Sequence, residues 1–268
     1  MAIDLQKLRK EYVFAGKGTP AELLADLPKI QDLLKSIKTR QILMRSVAVG
    51  VGVLGLAGVV YSTVFIYLGI GGAIGIFVWA SKLNAVLKNA QHYGVAEDIL
   101  QKLSYDTSPR GRFQITVRLK DERKLMAKQP HRGGEQCHYL NPWLDVQGIF
   151  LDGTMLTENI TDLLRERKRK NANGKTKTKS RSRHIITLRL SYPAGRYGNA
   201  TPVALKLRST FRLPTGAVVK AFKPSPKSLA VKALAHEGTD LRGVQDALLL
   251  GSYRILNLAR QEAARSRK

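Results

Sequence analysis

The chain is short of acid. Its 268 residues hold 20 Asp and Glu against 45 Lys and Arg, a formal net charge of +25. Such an imbalance implies an anionic partner: lipid headgroups, nucleic acid or an acidic protein surface. Cysteine is scarcer still. Cys137 stands alone, which excludes an intrachain disulfide framework and fits a reducing cytoplasm. It lies near His131 and His138 in "HRGGEQCHYLNP", but the spacing of these three is irregular and no metal site is assigned to them. Catalytic signatures are missing as well. There is no G-x-x-x-x-G-K-[ST], no H-E-x-x-H and no G-x-S-x-G. The letters G-x-G-x-x-G occur only inside an apolar run, where no nucleotide could reach. No cofactor and no small-molecule substrate is implied, and the chain reads as a non-enzyme.

The longest absence runs from Ser46 to Ser81. These 36 residues contain no Asp, Glu, Lys, Arg, His, Asn, Gln or Pro, and they lie between Arg45 and Lys82. One helix of that length would measure roughly 54 Å. It would need a tilt near 55° to hide in a hydrocarbon layer about 30 Å thick, beyond the usual range. Two helices of about 17 residues nearly fit, turning at Tyr61-Ser62-Thr63 and borrowing apolar flank from Ile42 to Met44, Leu83 and Val86. The other reading, a buried helix in a soluble domain, sits poorly with so long an uncharged run. Lys35, Lys38, Arg40 and Arg45 precede the run, and Lys82 and Lys88 follow it. Both ends are therefore expected to face the cytoplasm, with Trp79 at the near interface and Tyr61 at the far one. The N-terminus lacks an apolar h-region, so no cleavable signal peptide is expected and the first span acts as its own insertion signal.

Glycines mark both halves of the run. Gly50, Gly55, Gly58, Gly71 and Gly75 are the candidates for helix packing in the membrane, with Gly71 and Gly75 forming a small-xxx-small pair. They serve either an oligomeric bundle or the packing of the two spans on each other. No ionisable group lies within the spans, which counts against a proton relay, an ion-coupled carrier or a voltage sensor.

Outside the run, residues 19–45 read as a helix with a T-x-x-E capping box at Thr19 and Glu22, Pro20 at its first position and a break or kink at Pro28. Leu23, Leu27, Ile30, Leu34 and Ile37 form a short seam, for a coiled coil or for packing on the soluble domain. Residues 82–104 are helical, divided at Gly94. From residue 112 the period changes to two. "FQITVRL", "LDVQGIFLDG", "HIITLRLSY", "TPVALKLRSTFRL" and "TGAVVKAF" are candidate strands. The third and fourth are expected to pair as a hairpin across "PAGRYGN", and the fifth to stop at "KPSP". A docking helix from about Thr239 to Arg265 closes the chain, followed by a basic tail.

The order of "LDGTMLTENI", a basic insertion, "HIITLRLSYPAGRYGNATPVALKLRS" and "LPTGAVVKAFKPSPKSLAV" resembles a small β-domain of unknown function found beside two membrane spans in bacterial proteins. Gly153-Thr154, Gly216 to Val219, and Pro224 with Pro226 carry the likeness over about residues 150–232. "KPSP" departs from it, since that family tends to carry acidic residues there. The resemblance implies a membrane-tethered β-module, with no catalytic residues, at a bacterial inner membrane.

Within the insertion, Arg165, Arg167, Lys168, Arg169, Lys170, Lys175, Lys177, Lys179, Arg181 and Arg183 face a single acid, Glu166. With so little apolar content the stretch is expected to be a disordered loop, an electrostatic arm for anionic lipid or nucleic acid. It has no interleaved aromatics for base stacking, so any nucleic-acid contact would be non-specific.

The expected fold is an α+β membrane protein: a two-helix transmembrane hairpin with an N-terminal helix, an antiparallel β-rich cytoplasmic domain and a C-terminal helix. The boundaries are 1–45 for the N-terminal helix, 46–81 for the hairpin (spans about 42–61 and 63–83), and 82–104 for the connector. The β-rich domain follows over 105–238 with its basic loop at 165–183, and the C-terminal helix and tail over 239–268. The expected role is a membrane-anchored scaffold, a homo-oligomer or a subunit of a larger complex, presenting a basic domain to an acidic partner or anionic lipid. The alternatives are an oligomeric pore and a membrane-tethered nucleic-acid binder.

Overall fold

A computed structural model describes the chain except for residues 1–3, 58–62, 108–110, 132–133, 171–173, 208–210 and 266–268. Helix α1 (Leu5–Glu11), strand β1 (Val13–Gly18), helix α2 (Pro20–Asp26), helix α3 (Pro28–Ala57), helix α4 (Thr63–Lys88) and helix α5 (Gln91–Tyr105) come first. Strands β2 (Phe113–Arg118), β3 (Lys124–His131), β4 (Gly134–Ile149), β5 (Met155–Lys170) and β6 (Thr176–Ser191) follow. Helices α6 (Ala194–Tyr197) and α7 (Thr201–Lys206), strands β7 (Ala217–Ser225) and β8 (Ser228–His236) and helix α8 (Leu241–Arg265) complete it. The result is an α+β fold around an antiparallel sheet, with two long apolar helices.

The helix starts follow from local chemistry. The Thr19 hydroxyl accepts from the Glu22 amide, and the Glu22 carboxylate accepts from the Thr19 amide, so the capping box is complete. Pro28 has no amide proton to donate, and α2 ends at Leu27 just before it. The chain then restarts as a 30-residue helix. The stretch before the apolar run is thus more than one helix. It supplies an edge strand, β1, whose Phe14 is buried in the same core as Leu23, Leu27 and Ile30 of the helices.

The strand order is β1-β2-β4-β5-β6-β8-β7, all neighbours antiparallel, with β3 paired to β4 off this path. Sixteen-residue β4 has room for both: its second half pairs with β2 and its first half with β3. Side chains alternate across the sheet. The inner face buries Ile115, Val146, Leu156, Ile160, Ile186, Leu188, Val231 and Ala233 against a core that includes Ile99 and Leu103 of α5 and Val244, Leu248 and Ile255 of α8.

The apolar arms of α3 and α4 stand outside this core. They pair with each other, and the most hydrophobic 18-residue windows of their helical stretches are only 17% and 12% buried. A core helix would be mostly buried, and within this chain these windows are not. Both helices are long and apolar enough to cross a membrane. Where the arms meet the domain, the buried Gln41 side chain donates to Asn84 Oδ1 at 2.8 Å. The arms cross at glycine. A Cβ added to Gly69 would lie 2.4 Å from Gly55 Cα, a contact no side chain allows. Gly55 is thus at the crossing, while a Cβ at Gly50, Gly71 or Gly75 would meet nothing within 4 Å. Gly58, Tyr61 and Ser62 lie outside the described residues.

Four expectations are corrected. "TPVALKLRSTFRL" does not pair with β6. Residues Thr201–Lys206 are helical, with Pro202 in the first turn, where its missing donor costs nothing. Val203 and Leu207, on one face in a period-two strand pattern, are also i and i+4 of a helix, and both reach the core while Leu205 stays exposed. Strand β6 pairs instead with β5 and β8. "KPSP" does not end a strand but turns one: Ser225 and Ser228 pair across Pro226-Lys227, and the Ser228 amide donates to Ser225 Oγ at 3.1 Å. The division of residues 82–104 falls at Asn89–Ala90, where the Asn89 side chain donates to Leu119 O and Asp121 Oδ1 at 3.0 and 2.8 Å. Gly94 sits within α5 and gives room to Arg242, whose Nη2 would be 2.5 Å from a Cβ there. The fourth correction is the basic loop itself.

Candidate anion-binding interface

Residues 165–183 are not a loop. β5 and β6 continue past the core as a ribbon, paired residue for residue from Leu163↔Arg183 to Lys170↔Thr176. On one side it is widened by the first half of β4, and that in turn by β3. The turn uses Gly174 at φ +72°, a left-handed conformation that glycine adopts without strain. The alternation Lys-Thr-Lys-Thr-Lys-Ser-Arg-Ser-Arg is a period-two pattern in which cations take the place of apolar residues.

Register sorts the cations. Arg165, Arg167 and Arg169 stand on one face of β5, and their partners Arg181, Lys179 and Lys177 stand beside them on β6, with Arg183 at the base. Seven of the ten predicted cations therefore share the outer face, the one turned away from the core. Lys168 and Lys170 are on the inner face, and Lys175 is in the turn. The ribbon's acids are also on the inner face, and each is already paired. Glu166 holds Arg123 at 2.6 Å and Glu135 holds Lys128 at 2.9 Å. The outer face carries no carboxylate.

Three pairs of like charge therefore sit directly opposite one another. Like charges directly opposite on adjacent strands disfavour the pairing. Partial desolvation, then the charges of Arg167, Arg181 and Arg183, lower the Arg165 guanidinium from its ordinary value. One member is held in place: Arg167 Nε donates to Gln136 Oε1 at 2.7 Å, and Gln136 Nε2 lies 2.7 Å from His138 Nε2. His138 and Cys137, adjacent on β4, face opposite sides, so they cannot share a ligand.

The ribbon leaves the sheet at the end where the apolar arms leave it. Helix α5 runs from His92, whose Nδ1 lies 3.4 Å from Arg118 O at the end of β2, to Asp106, whose carbonyl accepts from Leu151 in the β4–β5 turn. Ala90 keeps helical dihedrals, so α4 continues beyond the sheet on the His92 side. That is the side where β5 and β6 pass Asp162 and His184 into the ribbon.

A cavity of about 870 Å³ opens at this junction, lined by Lys88, Asn89, His92, Asp162, Leu164 and Ser182 among others. The His92 ring stacks on buried Trp143, centroids 3.9 Å apart and planes within 6°. Trp143 Nε1 donates to Asp162 Oδ1 at 2.9 Å, and His184 Nδ1 lies 2.7 Å from the same oxygen. Burial lowers the His92 pKa, only partly offset by Asp162. Sequence reasoning missed this cluster, because its members come from four separate elements, α5, β4, β5 and β6, and no local motif links them. Among the described residues no group of three or more His, Cys, Asp or Glu could hold a metal ion.

Compared with known protein families, curated proteins and solved structures, the chain gives no significant match.

Proposed function

We propose that the chain is a membrane-anchored scaffold in which α3 and α4 cross the bilayer as a hairpin and hold the α+β domain at the cytoplasmic surface. The domain presents the outer face of its ribbon to an anionic partner. Two features support the anchoring: the exposed apolar arms, and the basic residues Lys35, Lys38, Arg40, Arg45 and Lys88 at their domain-side ends. The observation that carries the partner reading is the cationic face itself, with seven cations, three like-charged cross-strand pairs and no carboxylate. A face that repels itself gains most from a ligand that brings negative charge.

The test separates this face from bulk charge. The full chain in neutral-detergent micelles is bound to immobilised heparin, used as a generic polyanion, and eluted with salt. In one variant Arg165, Arg167, Arg169, Lys177, Lys179, Arg181 and Arg183 become Gln. In another, seven cations elsewhere (Lys7, Lys10, Lys206, Lys223, Lys232, Arg254 and Arg260) become Gln, giving the same net charge. The ribbon variant should elute at clearly lower salt than the control variant. Equal elution would show that only total charge matters.

A further inference from the structure

We infer that the tip of the ribbon, Arg169, Lys170, Lys175 and Lys177, rests on the phosphate headgroups of the leaflet that the hairpin enters. This rests on the proposed anchoring and on the cationic face as an anion site. It names the partner of that face at its far end, where Arg169 and Lys177 are joined by Lys170 of the inner face and Lys175 of the turn.

Reach decides it. Asn89 at the end of the apolar helix is linked to Glu166 of the ribbon through Asp121 and Arg123, so ribbon and helix start close together. From Leu164 to Lys170 is six residues of strand, about 20 Å. From Lys88 back to Ser81 or Trp79, where the uncharged segment begins, is seven to nine residues of helix, about 10–14 Å. The headgroup layer adds about 5–7 Å on the domain side of the hydrocarbon. The ribbon is therefore long enough: upright it would overshoot the phosphates by about 10 Å, and a lean of about 45° or more from the helix axis brings the tip back to the headgroup layer. The side chains at that level suit the place. Lys168, Arg169 and Lys170 are consecutive cations, Lys175, Lys177 and Lys179 alternate with Thr, and no acid lies among them.

Nucleic acid is the competing occupant, and two features favour lipid. No Phe, Tyr or Trp stands on the outer face of the ribbon to stack a base, since Tyr139 shares the inner face with Leu164, and the outer-face imidazole of His138 is engaged by Gln136. A tip tethered within ångströms of a charged surface also meets it at far higher effective concentration than a ligand in solution. Each cation near an anionic leaflet adds attraction, so four acting together fix a contact that one would not.

The experiment uses the full chain in nanodiscs. Cys137→Ser removes the native thiol, and Thr176→Cys near the tip carries a fluorophore. The discs contain phosphatidylcholine alone or with phosphatidylglycerol, each with a trace of headgroup-labelled quencher lipid. Quenching should be several-fold stronger in the phosphatidylglycerol discs, fall with salt, and drop by roughly tenfold when Arg169, Lys170, Lys175 and Lys177 become Gln. Equal quenching in both discs, or quenching unchanged in the four-Gln variant, overturns the inference. If the ribbon cations still govern heparin retention while the label ignores the headgroups, the lipid inference falls and the anion-binding face stands. If neither holds, both fall. A single-stranded oligonucleotide that binds the disc-embedded protein tightly while the label stays unquenched assigns the face to nucleic acid instead.

Discussion

Glu158 should make the domain more stable in mild acid than at pH 8, and Glu158→Gln should abolish most of that difference. Glu158 sits mid-strand on the inner face of β5, opposite Val146 and Leu188, with 4% of its surface exposed. Its partner is Gln245 of α8, whose Nε2 donates to Glu158 Oε1 at 2.7 Å. Desolvation, with a smaller push from Asp246, raises its pKa from the ordinary 4.5 to about 7, against the Gln245 bond and the charge of Lys102. Gln245 Oε1 is buried and has no partner. A protonated Glu158 supplies the missing donor and closes a two-bond acid–amide pair, whereas the carboxylate leaves that oxygen orphaned. The folded-state pKa lies above the unfolded one, so the contribution is complete below about pH 4.5. It declines as the unfolded chain loses its proton first, and it is gone above about pH 7. A shift of that size corresponds to about 3 kcal/mol. Glutamine at 158 keeps both bonds at every pH. The assay is denaturant unfolding in one detergent, followed by tryptophan fluorescence at pH 5 and pH 8. Between those pH values the wild type should lose about 2.5 kcal/mol more than the variant, because at pH 5 the unfolded carboxyl is already largely ionised, and the variant should be the more stable at pH 8. Comparing the two chains cancels every other titrating group. Equal losses, or a variant weaker than wild type at pH 8, would refute the reasoning.

Three further outcomes are expected. In a Cys137→Ser background, Gly52→Cys with Ala73→Cys should oxidise to an intramolecular disulfide, since a Cβ at Gly52 lies 3.8 Å from Ala73 Cβ. Adding Gly69→Leu should suppress that crosslink by forcing the Gly55 crossing apart, while adding Gly71→Leu should leave it intact, as read by mass spectrometry. Cysteine at Ser62 should react with an impermeant maleimide from the side of the membrane opposite to cysteine at Lys10, and labelling of both from one side would contradict the spanning hairpin. Asp162→Ala leaves Trp143 Nε1 buried without an acceptor and should cost about 1–3 kcal/mol, measured as a lower denaturant midpoint at unchanged slope.

What could be read beforehand was what local rules decide. Thr19, Pro20, Glu22 and Pro28 announce a helix start and a break through side-chain chemistry confined to a few residues. The apolar run and α8 are long enough for composition and period to speak for themselves. β1 was hidden because "VFAGKG" carries two glycines and gains its strand state from β2. β8 was hidden by Ala233 and Ala235, which fill the inner face next to larger neighbours yet carry a weak apolar signal. The basic segment failed for a deeper reason. Hydrophobic periodicity reports burial, and past Asp162 the ribbon has progressively less to bury on either face. Its strand state comes from pairing with β4 and from the turn at Gly174. The ten cations were visible as composition, but which seven share a face depends on register, and register belongs to the assembled sheet.

The sheet also explains why a self-repelling face persists. Extending β5 and β6 by some eight residues each past the core gains backbone hydrogen bonds but little buried apolar area, so stability alone does not favour Arg165 opposite Arg181 or Arg169 opposite Lys177. Acids alternating on that face would have relieved the strain at no cost to the fold. Instead Glu135 and Glu166 sit on the inner face, spent on Lys128 and Arg123. Arg123 is further tied to Asp121, which also accepts from Asn89 at the end of α4. The ribbon is thus braced, through Glu166, Arg123, Asp121 and Asn89, to the point where the apolar helix enters the domain. In the proposed arrangement that brace sets the angle between ribbon and hairpin. Substituting Arg123 should therefore loosen the tip's contact with the headgroups without removing a single outer-face cation.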